Sequence, residues 1–333
     1  MATTTTFNGD DTLTRHYSGL ERLLVFKGRD TGFIRLNVGL DADRNGVPEA
    51  STATPAHAWS RQTFATGMRT FSMPLLKPAV FTGRVSSVLA NEVMLPAILT
   101  LPAGSLYLEA LDGALAGQRF EIDSALSSGN TLVLHEDGRS LNGLTASRVV
   151  IRPHHMLAEL LPLAAFTAGD RVLVFDTAIN NFTPLVQNGD AWSDGVLSMN
   201  TRPFPPHEAV LVDVRGESAS LFLTGEVRAA DFVIPLVPGA QLTGSGWPAA
   251  RSAPVTGLRS GATSDTADRL RLWNGDIATE VVGYSGYYLD NSTNPPSWQP
   301  QDAATAPLPP LPPFHGFFLI REEPLLLKSV VPW

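Results

Sequence analysis

Residues 71–83 read FSMPLLKPAVFTG and residues 232–244 read FVIPLVPGAQLTG, 161 residues apart throughout (71 to 232) and without a gap. Phe71/Phe232, Pro74/Pro235, Leu75/Leu236, Ala79/Ala240, Thr82/Thr243 and Gly83/Gly244 are identical; Met73/Ile234, Leu76/Val237 and Phe81/Leu242 are conservative. Self-similarity at a fixed offset is the first pattern to seek, because missing it misreads the whole architecture. Downstream, AGDRVLVFD (168–176) matches TADRLRLWN (266–274), which sets Asp170 over Asp268. Further on, Trp192 falls over Trp298 and Arg215 over Arg321. Matches in the same order predict a duplication: a first β unit at 71–231 and a second at 232–333.

The offsets shrink between Gly83 and Asp170, so the first copy carries extra chain there, at about 84–153. That stretch contains SLYLEAL, QRFEIDSAL, NTLVLHED and SRVVIRP, short alternating runs separated by the turn signals ALDGALAG, SSGN and EDGRSLNG. Such spacing predicts a small antiparallel β barrel or sandwich inserted in the first unit. In each copy an F-x-[MI]-P-L segment opens the unit. Its proline cannot donate to a ladder, so the strand is expected at an edge or to end there. A DR-[VL]-x-[VL]-[FW] strand follows, then a Trp near a polar turn. A closing strand pair ends each copy, AVLVDVR with SLFLTGEV and GFFLIRE with PLLLKSVV. Helix is scarce: HHMLAELLPLAAF can form a turn or two before Pro162 stops it. PLPPLPPF (307–314) reads as an extended spacer into the last strands. The fold class is all-β: two tandem sandwich- or barrel-like units, one insertion, and an extended N-terminal region at 1–70.

Composition narrows the function. Net charge is −8, from 24 basic and 32 acidic residues, and a diffuse negative surface repels phosphate backbones, so nucleic acid is not an expected partner. Cysteine is absent, which excludes thiol catalysis, thiolate metal sites and disulfides. The most apolar window, Met156 to Phe166, is interrupted by Glu159 and Pro162 and is too short to span a bilayer. The first twenty residues carry no apolar run, so they do not read as a secretory signal. A disulfide-free extracellular or surface protein fits this composition, and a leaderless intracellular or phage-type origin fits it too.

The pattern resembles an uncharacterised family of mostly exported all-β proteins common in Verrucomicrobia. The likeness rests on the P-L…F-T-G-x-V opening (Pro74, Leu75, Phe81, Thr82, Gly83, Val85), the strand from Gly169 to Asp176, and the closing strand from Gly316 to Arg321. It covers roughly 71–333 and implies export and an all-β fold. It brings no activity, cofactor or catalytic residue.

Candidate chemistry is sparse. In DADRNGVPE (41–49), Asp41, Asp43 and Asn45 offer side-chain oxygens, Val47 a carbonyl and Glu49 a carboxylate. Oxygens at alternate positions with a glycine turn fit calcium. The twelfth position is Thr52 rather than Glu, and the competing reading is an Asx-rich turn between strands. His154 and His155 are neighbours in an extended segment and point to opposite faces, so one metal does not readily take both. His207 and His315 precede the closing strands of the two copies, which suggests a shared structural role such as a bond to a turn carbonyl. Asp112, Glu121, Asp123, Glu136 and Asp137 sit in or beside turns, where solvated carboxylates are ordinary. No G-x-S-x-G, H-E-x-x-H or P-loop motif occurs, and the expectation is a non-enzymatic protein. Trp192, Trp247, Trp273, Trp298, Tyr284, Tyr287 and Tyr288 would stack on glycans if exposed and form core if buried.

Residues 1–70 match neither copy. RLLVFKG and GFIRLNVG read as strands, and an extended arm of this kind pairs with a sheet edge, its own or a neighbour's. Lysines occur only at 27, 77 and 328, so one common guard against edge pairing is thin. The expected function is a structural protein of an extracellular or surface assembly, a homo-oligomer built through strand edges and able to form filaments. The alternative is a carbohydrate- or surface-binding protein, calcium-dependent if the 41–49 loop holds the ion.

Overall fold

The computed structural model describes residues 56–135, 140–276, 283–302 and 305–331, together with the backbone of five short strands within the first 55 residues. Strands account for 48% and helix for 5%, which places the protein in the all-β class. The early strands are β1 (Thr5–Phe7), β2 (Leu24–Phe26), β3 (Thr31–Ile34), β4 (Asn37–Leu40) and β5 (Ala50–Ala53). β1 pairs with β2 in parallel and β4 with β5 antiparallel. β6 (His57–Phe64) and β7 (Gly67–Ser72) follow. Next come β8 (Phe81–Arg84), β9 (Ser87–Leu89), β10 (Glu92–Met94), β11 (Leu106–Ala110), β12 (Arg119–Ser128), β13 (Thr131–Leu134) and β14 (Arg148–Pro153). These seven form one sheet in the order β8-β14-β11-β12-β13-β10-β9, curled into a half-barrel around Val93, Leu106, Leu108, Phe120, Leu132 and Ile151. This sheet spans Phe81 to Pro153.

The chain continues with β15 (His155–Met156), a single helical turn at Leu157–Leu160, β16 (Arg171–Asp176), β17 (Asn181–Gln187), β18 (Trp192–Ser193), β19 (Pro203–Phe204), β20 (Ala209–Val214) and β21 (Ala219–Glu226). The last part holds β22 (Phe232–Leu236), β23 (Gly239–Gly244), β24 (Arg269–Trp273), β25 (Tyr284–Asp290), β26 (Ser297–Pro300), β27 (Gly316–Arg321) and β28 (Leu325–Ser329). Two five-stranded antiparallel sheets result, β18-β17-β16-β20-β7 and β26-β25-β24-β27-β23, which run in matching order. Registers match as well. Gln187 faces Trp192 and Leu289 faces Trp298, so the two tryptophans hold the same place. Asp170 and Asp268 both sit, buried, just before the central strand.

Three expectations are corrected by this register. Phe71 is fifth in β7 and faces Val210, whereas Phe232 opens β22 and faces Ser329; the strand order instead matches Gly67 to Gly239 and Ser72 to Gly244. Arg321 faces Gly239 as Val214 faces Gly67, so Arg321 matches Val214 and not Arg215. The closing strands do not pair with each other: β20 lies between β16 and β7, while β21 crosses to β6, and β28 crosses to β22 in the same manner. It follows that β6 and β7, placed by sequence in an unmatched N-terminal region, belong to the sheets. Their polar, arginine-containing pattern hid them. The proline expectation holds in both senses, since Pro74 lies just past β7 and Pro235 sits in β22, whose one strand partner among the described residues is β28.

The two sheets pack face to face through Ala209, Leu211, Leu242 and Phe318, with Phe175 and Phe318 edge-to-face at 4.9 Å. Their outer faces bury Phe71, Val172, Val210, Val212 and Trp192 on one side and Leu270, Leu272, Phe317, Leu319 and Trp247 on the other. Burying each such side chain contributes about 1.5–3 kcal/mol. Contacts across the interface are reciprocal. Ser72 donates its N–H to Phe314 O at 2.8 Å, and the matching Gly244 donates to His207 O at 2.9 Å.

Candidate functional site at the inserted-sheet junction

Alternation along β11 decides which side chains face the body of the protein. Leu106, Leu108 and Ala110 enter the half-barrel core, so Tyr107 and Glu109 point the other way. On the flanking strands, Glu121 lies opposite Tyr107 and Arg119 opposite Glu109 on β12, and Arg152 lies opposite Tyr107 on β14. This polar row meets the segment before β20 and the start of β22. Val233 donates its N–H to Gly117 O at 2.8 Å. A Cβ on Gly117, whose φ is +81°, would lie 2.8 Å from the Phe232 Cα, so glycine is required for the approach. On β6, the corresponding edge is taken by β3.

Ion pairs hold the junction. Arg228 pairs with Glu109, both almost wholly buried, and its guanidinium lies 4.2 Å from the Phe232 ring centre. Arg152 Nη1 binds Glu226 Oε2 at 2.5 Å. His154 Nε2 is 2.8 Å from Glu121 Oε2, with its ring packed 4.7 Å from Tyr107. Arg119 donates to His207 Nδ1, which leaves the ring proton of a neutral imidazole on Nε2. Burial, then the Arg119 and Arg228 cations, hold His207 well below its usual range. Burial, reinforced by Glu109, pushes the Tyr107 phenol up to about 12. The Glu208 carboxyl is raised by burial although Arg202 grips it in two places.

Between these groups lies a cavity of about 180 Å³, lined by Arg119, Glu121, His135 and His207 with Val233, Pro235 and Leu326. That is smaller than the ~300–1,000 Å³ of pockets that enclose drug-sized ligands. A neutral His207 already bonded to a guanidinium is a poor general acid at neutral pH. The arrangement suits clamping one sheet onto another.

The sequence-flagged residues fall in separate places. His154 faces the junction and His155 the opposite way, donating to Leu75 O at 3.1 Å, as extended neighbours should. The carbonyls of His207 and His315 both receive bonds from the facing sheet, from Thr243 and Gly244 in one case and from Ser72 Oγ in the other. Their rings differ: His315 Nδ1 lies 3.2 Å from Asp276. Asp112 and Asp123 accept backbone N–H groups of Arg148 and of Ala125 and Leu126. Trp192, Trp247 and Tyr287 are core residues, and Trp273 and Trp298 donate to the carbonyls of Met68 and Pro254. Asp41, Asp43, Asn45, Val47 and Glu49 lie outside the described residues, as do Glu136 and Asp137 and the 1–20 arm beyond the backbone of Thr5–Phe7. Among the described residues no group of three or more His, Asp or Glu forms a metal-binding set, and no helix is long and apolar enough to cross a membrane. Glu109, Arg119 and Arg228 were not singled out by sequence; the one available signal was charge alternating with Leu106 and Leu108 on a buried strand.

The histidines give the protein a pH dependence. Burial lowers His155 from 6.5 to about 4, and His207 moves the same way. Below pH 6.5 the unfolded chain takes up protons that the folded chain refuses, so stability falls as pH drops from 6.5 toward 4. His155 alone should cost about 2 kcal/mol by pH 5. Calorimetric melting at pH 7 and pH 5 should show His155→Gln losing less stability on acidification than the parent; equal losses would remove His155 as the cause.

No family model, curated protein or solved structure matches the chain.

Proposed function

We propose that this chain is a structural protein of an extracellular or surface assembly, formed by duplication of one sheet-forming unit, that self-associates through strand edges. The observation that supports it is the pair of peripheral ladders, β3-β6-β21 and β22-β28, each ending on a strand with no strand partner on its outer side among the described residues. Such an edge is a ready template for another chain. The charged junction serves the same role by docking the inserted sheet onto the body through the Arg228–Glu109, Arg152–Glu226 and His154–Glu121 pairs. The matched sheet order, the Trp192/Trp298 register and the reciprocal Ser72 and Gly244 contacts support the duplication. Sedimentation velocity over a hundredfold concentration range should show a mass rising above that of one 35.7 kDa chain, with polymers in negative stain at the upper end. A single monomeric species throughout would sink the proposal.

A further inference from the structure

β21 pairs with β6 along one side and turns its other side away from that sheet. Glu226 exchanges both backbone bonds with Leu76, at 2.9 and 2.8 Å, on the side away from β6. In an antiparallel ladder each residue turns its N–H and C=O to the same side and its neighbour turns them to the other. Ser220, Phe222 and Thr224 therefore also turn outward, and among the described residues β6 is the one strand that β21 pairs with. From Ala219 to Gly225 the strand carries no charge and no proline, and Phe222 at its centre is 63% exposed.

Three other edges carry guards. On β7 the Asp276 carboxylate accepts the Thr70 N–H, which caps the outward backbone. β22 has Pro235, and its Val233 N–H is taken by Gly117. β28 carries Lys328, paired to Asp231 at 2.9 Å. Blocking groups of this kind are how sheets avoid edge pairing, and Ser220 to Thr224 carries neither a charge nor a proline.

We infer that the β21 edge, Ser220 to Thr224, pairs antiparallel with the β21 edge of a second copy of this chain about a two-fold axis at Phe222. This rests on the reading that the chain associates through strand edges, and it names the edge. The register is self-complementary: with Phe222 opposite its own counterpart, Ser220 meets Thr224, so outward groups meet only outward groups and about six backbone bonds form. Because the strand is neutral, no charge faces its own copy across the axis, the condition an isologous contact must meet. The two Phe222 rings lie side by side on one face. Leu76, already bridged to Glu226, stops the added strand at both ends and opposes a slip of register.

The absence of cysteine makes the test direct, because Phe222→Cys carries the sole thiol of the chain. Paired residues of this kind lie about 5.5 Å apart between Cα atoms, within disulfide reach. Copper-phenanthroline oxidation should convert Phe222→Cys to a covalent dimer, while Leu326→Cys on β28 stays monomeric under the same conditions. Thr224→Lys, a surface change, should return the unmodified chain to monomer in sedimentation. An associating parent whose Thr224→Lys variant is unchanged, or equal cross-linking of both cysteine variants, would overturn the β21 assignment and leave edge association standing elsewhere. A parent that never associates would overturn both.

Discussion

Arg228→Met should destabilise the folded protein by about 3–5 kcal/mol, because it leaves the Glu109 carboxylate buried without its cation. Both residues are 3% exposed, so water does not readily solvate the survivor. The pair itself is poorly satisfied: Glu109 Oε2 and Arg228 Nε and Nη2 are buried with no hydrogen-bond partner. A buried ion pair in that state recovers little of its desolvation cost. Replacing both partners, Arg228→Met with Glu109→Leu, should therefore restore stability to within about 1 kcal/mol of the parent or exceed it. Urea denaturation of the parent, both single variants and the double variant gives the coupling directly. If the double variant is as unstable as Arg228→Met, the pair contributes net stability to the junction, and the view that it recovers little of its desolvation cost fails. Arg228 also covers the Phe232 ring, so Arg228→Ala should cost more than Arg228→Met in the Glu109→Leu background.

Which parts of this architecture could be read in advance follows from the range of the interactions. Local patterns survived. The half-barrel was visible because its strands alternate apolar residues between turn signals, and Trp192 and Trp298 were matched because a tryptophan follows each central strand near a polar turn, in the same order though not at the same spacing. Long-range register did not. The Pro-Leu and Thr-Gly identities of 71–83 and 232–244 mark edge strands and turns, demands that recur at non-equivalent places, and they outweighed the true match of Gly67 with Gly239. Both glycines have positive φ, +110° and +100°, and open their strands; that conformational demand is the stronger signal, but a residue type alone does not show it. The junction was out of reach for a related reason. Arg228 and Glu109 are 119 positions apart, and only the docking of the half-barrel brings them together.

Asp170→Ala should cost about 3–4 kcal/mol, and it tests the buried aspartate that precedes the central strand of its five-stranded sheet. Asp170 is fully buried just ahead of β16. Oδ2 accepts the Thr167 N–H at 2.8 Å and its hydroxyl at 3.1 Å, while Oδ1 accepts the N–H groups of Arg215 at 2.7 Å and Gly216 at 3.2 Å. One carboxylate thus ties the entry of the central strand to the point where the chain leaves β20 for β21. Removing it strands three backbone donors, each worth about 1–3 kcal/mol when left dry, with water reaching those of the exposed Arg215–Gly216 turn. Asp170→Asn keeps one acceptor but sets an amide donor against Thr167, and it should cost roughly half as much as the alanine change. Among the described residues the matching Asp268 accepts one backbone N–H, that of Arg259 at 2.9 Å, and the Arg321 guanidinium lies 3.9 Å away. Asp268→Asn should therefore depend on that buried cation more than on strand exit. Adding Arg321→Leu to Asp268→Asn should recover part of the loss, whereas Arg215→Leu should recover none of the loss from Asp170→Asn. Equal behaviour of the two pairs in chemical denaturation would mean that the aspartates do the same work, and that the one-residue shift between Arg215 and Arg321 has no energetic consequence.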